Sequence, residues 1–360
     1  MDYRKELTTS RINRRELFIR SFSFTRRNNF FVILFFIFIF SFFSCARDES
    51  SRIELALGTV CSVTLYENGK DIVFDKIFSR INEIENLMSV NINSSDISRI
   101  NGNAGLTPVQ VHEDTYKVIK RALYFAEISN GAFDPAVGPL VALWGISGDN
   151  PSVPSHEKII ETLPLVNWRN VIMDNQEQSV FLTRTGMALD LGAIAKGFAA
   201  DETAKIIKNE GIARAKIDLG GNIIMLGEKK DKSPWRVGIQ NPGGSRGSII
   251  GILRIPEKTV VTSGVYERYF EENGAHYHHL FSPSLGYPVQ NGLLSVTIIT
   301  GVSTDADALS TAVFVLGYEK GISLLESFPE AQAVFVFEDN SVSVTGGIDF
   351  MLTDKLFYIK

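Results

Sequence analysis

The chain offers chemistry most directly in the run Ser303-Thr304-Asp305-Ala306-Asp307-Ala308-Leu309-Ser310-Thr311. Asp307 and Thr311 are four residues apart, so on a helix a carboxylate and a hydroxyl share one face. Hard oxygen donors of this kind suit Mg²⁺, which takes few protein ligands and fills its octahedron with water and substrate phosphate. The same run also reads as a Ser or Thr helix cap with acids in the first turn, favoured by the helix dipole. A second run, Leu189-Asp190-Leu191-Gly192-Ala193-Ile194-Ala195-Lys196-Gly197, sets Asp190 before a helix start and Lys196 in its first turns. A cation there opposes the macrodipole, which an anionic ligand would offset. Lys196 could pair with phosphate and Asp190 could accept hydrogen bonds from a base or ribose, or Lys196 could be a solvated surface residue. The Gly spacing is not that of a Walker loop.

Three of the five histidines fall in His276-Tyr277-His278-His279-Leu280. On a strand His276 and His278 face one way and His279 the other, which disfavours a three-His metal site and favours a single His as base or donor. His112 and His156 lie in polar helix-start or loop settings and read as structural.

These residues need elements to hold them. Leu57 to Tyr66 alternates as a strand, and Ile77, Ile81, Ile84 and Met88 recur at helical spacing. Residues 89–110, rich in Asn, Ser and Gly, read as a loop, and Tyr116, Ile119, Leu123 and Ala126 mark a second helix ending near Gly131. Gly131-Ala132-Phe133-Asp134-Pro135 with Gly138-Pro139 reads as irregular, the kind of loop that carries function. Strands at 171–173 and 180–183 precede a helix ending near Asn209, a sheet-rich middle spans 215–261, and a strand at 294–299 precedes helices from Thr304 and Tyr318. Strands at 333–337 and 342–345 finish the chain. Strands and helices mix without a βαβ repeat, which predicts an α+β fold.

The N-terminus differs in kind. Residues 1–29 carry eight Arg or Lys against three acids, and the fourteen residues Phe30 to Phe43 are almost wholly apolar. That pattern reads as a signal peptide, with an uncleaved N-terminal anchor as the alternative, and it is shorter than the roughly 20 apolar residues of a spanning helix. It ends at Phe42-Phe43-Ser44-Cys45, which resembles a lipobox with Cys45 as the lipidated residue. The expected organisation is therefore a signal segment at 1–44, Cys45 and a short tether over 45–54, and one domain over 55–360. The expected location is exported, anchored by lipid to the inner membrane and facing the periplasm. Cys61, in an alternating run, reads as buried strand packing. A net charge of −5, with 21% charged and 44% hydrophobic residues, describes a globular body with a sizeable core and argues against nucleic acid as a main partner.

Eight stretches in order resemble the ApbE family of FAD:protein FMN transferases, from Leu57 to about Gly317. They are Leu57-Gly58-Thr59, Met88-Ser89 with Ser98-Arg99-Ile100-Asn101, Gly131 to Pro135, Leu189 to Gly197, Asp218-Leu219-Gly220-Gly221-Asn222, Thr262-Ser263-Gly264, His279 to Pro288, and Ala306 to Gly317. The resemblance implies that Asp307, Thr311 and the Ala193 carbonyl hold Mg²⁺. It implies that Ala132, Phe133, Asp134 and Asp190 bind FAD as substrate, with Lys196 neutralising the pyrophosphate as its bond lengthens. His279 matches a base that deprotonates the acceptor hydroxyl. Family acceptors are Thr or Ser in an Asp-x-x-Ser/Thr-Gly-Ala-Ser/Thr type of motif on membrane electron-transfer subunits, and this chain has no such motif.

Two positions depart from the family. Leu57 stands for a common Met at the cofactor, and Asn91 stands where relatives carry an aromatic packed on it. Asn91 is therefore expected to weaken FAD retention and admit water as acceptor. Two alternatives accompany the transferase: a Mg²⁺-dependent FAD pyrophosphatase giving FMN and AMP, and a flavin-binding lipoprotein without turnover.

Overall fold

The structure, a computed structural model, describes residues 49–146, 148 and 150–360. The expected signal segment, the Cys45 lipidation site and the first tether residues lie outside the described residues. The chain begins with a hairpin of β1 (Ser50–Ala56) and β2 (Thr59–Leu65), followed by helices α1 (Asp71–Met88) and α2 (Asp96–Gly102), β3 (Val109–Gln110) and α3 (Glu113–Ile128). Next come α4 (Gly138–Trp144), α5 (His156–Thr162), β4 (Val171–Asp174), β5 (Ser179–Leu182) and α6 (Ala195–Asn209). Five strands follow: β6 (Ala215–Leu219), β7 (Asn222–Leu226), β8 (Trp235–Gln240), β9 (Ile249–Ile255) and β10 (Lys258–Gly264). After a small hairpin, β11 (Tyr269–Glu272) and β12 (Ala275–His278), comes β13 (Leu293–Thr300), then α7 (Ser303–Leu316) and α8 (Tyr318–Leu325). The chain closes with β14 (Gln332–Phe337), β15 (Ser341–Val344), β16 (Asp349–Leu352) and β17 (Tyr358–Ile359).

Nine strands pair in the order β1-β2-β6-β7-β10-β13-β14-β15-β17, and only β15 and β17 run parallel. This is the α+β architecture that the mixed element order predicts. Successive side chains of a strand face opposite ways, and here both faces are covered. Val261, Ile298 and Phe335 join the larger core with the helices, while their neighbours Val260, Ile299 and Val334 pack against Trp235, Val237 and Leu253 of the small β16-β9-β8 sheet. Burial on both faces explains why β13 reads as the nearly unbroken apolar run Leu293-Leu294-Ser295-Val296-Thr297-Ile298-Ile299. The helical spacing of Ile77, Ile81, Ile84 and Met88 is the buried face of α1, and Cys61 is fully buried in β2.

Four expectations change. Residues 50–54, read as tether, are strand: β1 pairs antiparallel with β2 along its whole length, and Arg52 bonds Asp75 at 2.5 Å. Its half-buried positions are polar (Ser50, Arg52, Glu54) while Ile53 and Leu55 face outward, so the usual alternation is inverted and the strand reads as linker. Leu57 and Gly58 are not strand but the turn between β1 and β2, both with positive φ. Within 89–110, α2 forms because the Ser95 hydroxyl accepts from Ser98 N at 3.0 Å and Ile97 and Ile100 are buried. Gly138-Pro139 opens α4, where Pro sits in the first turn and has no N–H to lose.

Candidate active site

A cavity of about 1610 Å³ opens where α6, α7, the loop before α4, the β10 end and the segment after β12 converge. On its helical side it is lined by Asp190, Ala193, Lys196, Asp307 and Thr311, and on its loop side by Ala132, Phe133, Asp134 and His279. Leu57 and Asn91 are not among its lining residues, while Gly58 and Thr59, next to Leu57, are. The Leu57 side chain packs against the main core from its left-handed turn, and Asn91 is exposed in the bend after α1, where its N–H donates to Ser89 Oγ at 3.2 Å.

The contact of α6 with α7 builds the charged centre. The Gly197 N–H, in the first turn of α6, donates to Asp307 Oδ2 at 2.9 Å across the helix pair. In a regular turn that donor would point to the carbonyl four residues back, which is Ala193. Asp307 is only 4% exposed, and its Oδ1 lies 3.6 Å from Lys196 Nζ, too long for a direct hydrogen bond. The Lys196 ammonium donates to the Gly192 carbonyl at 2.8 Å, so this side chain is tied down beside the cavity and is not a free surface lysine. Asp190 Oδ1 accepts from Gly192 N at 2.7 Å, which shapes the turn that presents Ala193.

The start of α7 is held from outside its own sequence. Val302 at the cap position makes no side-chain cap bond; instead the Asp201 carboxylate of α6 accepts from Ser303 N at 2.9 Å, Thr304 N at 2.8 Å and Thr304 Oγ1 at 2.6 Å. Burial raises the Asp201 carboxyl above its ordinary value against these bonds. The acids of the run also divide: Asp305 forms a two-pronged pair with Arg121 at 2.8 and 2.7 Å, which leaves Asp307 to the cavity.

Two adjacent histidines have opposite tautomers. His278 is buried; its Nε2 bonds the Val289 carbonyl at 2.9 Å and its Nδ1 accepts from Leu280 N at 3.2 Å. Its proton is therefore on Nε2, and burial holds it at about 4. His279 Nδ1 bonds the Arg268 carbonyl at 3.1 Å, and since a carbonyl only accepts, the proton is on Nδ1 and Nε2 keeps its lone pair. Burial first, and then the charges of Arg268 and Lys196, hold His279 at about 3, neutral at ordinary pH. His276 bonds the Val265 carbonyl at 3.1 Å and stacks on Tyr269, so the three rings are anchored to three different carbonyls. His112 caps α3 and His156 bonds the Tyr287 hydroxyl, consistent with their structural reading.

The sequence profile of the ApbE family matches residues 57–335. The chain belongs to the ApbE family. It is 39% identical over 317 residues to the FAD:protein FMN transferase of Treponema pallidum (strain Nichols), covering 83% of this chain and 88% of that protein. It is 38% identical over 286 residues to the FAD:protein FMN transferase of Klebsiella pneumoniae (strain 342), covering 79% and 88%. The crystal structure of the ApbE protein of Thermotoga maritima superposes with a TM-score of 0.76 at 35% identity, covering 82% of this chain and 97% of that one.

Several ApbE-family stretches prove to be scaffolding for the cavity. Asn101 exchanges two hydrogen bonds with the Leu189 backbone, at 3.0 and 2.7 Å, and pins the strip that carries Asp190. Asp134 lines the cavity, yet its Oδ1 accepts from Ala136 N at 2.8 Å and its Oδ2 from Trp168 N at 3.1 Å, so the carboxylate fastens its own loop. Burial raises that carboxyl to about 6. Trp144 donates to the Gly286 carbonyl at 2.9 Å and anchors the turn after His279. Asn222, which accepts from Ser303 Oγ at 2.5 Å, and Ser263 also line the cavity. Their motifs were visible in the sequence, but no spacing rule linked them to Asp307.

Proposed function

We propose that this chain is a Mg²⁺-dependent FAD:protein FMN transferase that moves FMN from FAD to a Thr or Ser hydroxyl of a membrane electron-transfer protein and releases AMP. The observation that carries the reading is the convergence of Asp307, Thr311, Lys196 and an unprotonated His279 Nε2 on one cavity of a chain whose relatives bear that name. The donor set fits Mg²⁺: one buried carboxylate whose Oδ2 is held by Gly197 N and whose Oδ1 is 3.6 Å from Lys196 Nζ, one hydroxyl on the same helix face, and one carbonyl in the turn before α6. Among the described residues no three His, Cys, Asp or Glu side chains form a metal cage, and a single carboxylate is the sparse arrangement that Mg²⁺ accepts. When bound, Mg²⁺ supplies charge neutralisation at the pyrophosphate.

This chain's own residues do the rest. Lys196, fixed by Gly192, places a second positive charge beside Asp307. His279 Nε2 takes the proton of the acceptor hydroxyl as its oxygen bonds to the FMN phosphorus. The bond from that phosphorus to the bridging oxygen breaks, and the oxygen leaves with AMP. The Phe-rich run ending at Cys45 supports an exported protein, lipid-anchored and facing the periplasm, which would meet membrane acceptors on that side.

AMP release from FAD tests the reading, with and without Mg²⁺, for wild type and Asp307→Asn. Mg²⁺-dependent release from wild type that falls by orders of magnitude in the variant supports it. Equal release without Mg²⁺ or with Asn at this position contradicts it, and AMP without modification of an acceptor moves the assignment to FAD hydrolysis.

A further inference from the structure

Behind Thr311 runs a chain of hydroxyls whose direction follows from proton counting. Ser310 Oγ donates to the Asp307 backbone carbonyl at 2.9 Å, and a carbonyl can only accept. Ser263 Oγ, on β10, lies 2.8 Å from Ser310 Oγ and 3.3 Å from Thr311 Oγ1. Each hydroxyl has one proton. The Ser310 proton is committed to the carbonyl, so Ser263 donates to Ser310. With its own proton committed, Ser263 can meet Thr311 only as acceptor, and Thr311 donates to Ser263. Ser310 is fully buried, so water does not reach this end of the relay.

The consequence is at the cavity. A helical Thr hydroxyl ordinarily bonds a carbonyl three or four residues back, but here Ser310 occupies the Asp307 carbonyl and Ser263 draws the Thr311 proton away from the cavity. We infer that Ser263 is a positioning residue, which with Ser310 fixes the Thr311 hydroxyl so that Thr311 faces a divalent cation with lone pairs only. The inference rests on the Mg²⁺ reading above. It also gives the Thr262-Ser263-Gly264 stretch a role in the site: the strand carries the middle of the relay.

The test is calorimetric titration of Mg²⁺ into FAD-loaded protein, with every variant in the His279→Ala background so that FAD is not turned over. Ser263→Ala is expected to weaken Mg²⁺ binding about tenfold or more, the usual effect of losing an outer partner of a metal ligand. Ser263→Thr is expected to restore it. Ser310→Ala frees the Ser263 proton to turn toward Thr311 and is expected to weaken binding too, a loss that a role of Ser263 in packing alone would not produce. In a Thr311→Val background Ser263→Ala should make no further difference. Unchanged Mg²⁺ affinity in Ser263→Ala, or an equal loss in the Thr311→Val background, overturns the inference while leaving the Mg²⁺ reading in place. No Mg²⁺ binding by the His279→Ala parent overturns the Mg²⁺ reading itself. Melting without metal verifies that each variant is folded, and if Ser263→Ala is not, Ser310→Ala decides.

Discussion

Replacing Gly197 by Ala pits local propensity against packing at the contact that assembles the site. A methyl at Gly197 would lie 2.3 Å from the Ser303 carbonyl oxygen, 2.7 Å from Thr304 Cα and 2.8 Å from the Ser303 carbonyl carbon. Ordinary contact begins at 3.4 Å, so α6 and α7 must separate by roughly 1 Å. Every obstructing atom is backbone, and no rotamer change relieves it. Helix propensity favours Ala by about 0.8–1.0 kcal/mol in a helix interior, and less here because Gly197 is in the first turn. Overpacking costs about 1–3 kcal/mol, and the rigid neighbours place this case toward the upper end. The net expectation is a loss of about 1–2 kcal/mol, which lowers the melting midpoint by a few degrees. The effect on turnover is larger. The Gly197 N–H holds Asp307 at 2.9 Å, and a displacement of about 1 Å can cost on the order of a hundredfold in rate. Melting curves and AMP release from FAD measure the two effects. An Ala variant that melts at or above wild type with unchanged AMP release would refute the claim that this close approach places Asp307 against Lys196.

Three further outcomes follow from particular groups. Because His279 is held at about 3, its base form persists through mildly acidic pH. In an Asp134→Asn background, which removes the carboxyl near 6, kcat/KM should be flat between pH 7.5 and 5.5. An ordinary imidazole near 6.5 would give about a tenfold fall over that interval, and such a fall, absent in His279→Ala, would show that this ring titrates like a solvated imidazole. Removing the carboxylate that caps α7, as in Asp201→Ala, orphans the Ser303 and Thr304 amides and should cost about 1–3 kcal/mol in urea unfolding, whereas a change under about 0.5 kcal/mol would show that water replaces the cap. The Cys61 thiol, buried and raised to about 11, should resist iodoacetamide at pH 8 until denaturant is added, and fast labelling of the native protein would place β2 at an open edge.

The sequence foretold elements whose residues obey one period on one face. Ile77, Ile81, Ile84 and Met88 are all buried on α1, and Asp307 and Thr311 do share the cavity face of α7. What it concealed depends on partners distant in the chain. β1 looks like tether because its half-buried positions are polar and are held by α1, as in the Arg52 bond to Asp75. The Ser and Thr at the start of α7 look like caps, yet the cap comes from Asp201, 102 residues earlier for Ser303. Asp134 and Asn101 carry the polarity of ligand-binding groups but bond the backbone of their own scaffold. Ser263 was visible only as part of a short motif, because its function arises from two hydroxyls that a separate helix brings to β10.

If FMN is transferred to protein from one Mg²⁺-bearing cavity, the mass of an acceptor changes. The full chain would be incubated with FAD, Mg²⁺ and a peptide carrying the Asp-x-x-Ser/Thr-Gly-Ala-Ser/Thr type of motif, beside a control peptide with Ala at the accepting position. The first peptide is expected to gain the mass of one FMN less water, AMP to appear in equal amount, and both to disappear when Mg²⁺ is chelated. An unchanged peptide mass while AMP and free FMN accumulate would contradict transfer and leave a hydrolase; FAD that stays intact throughout would contradict both.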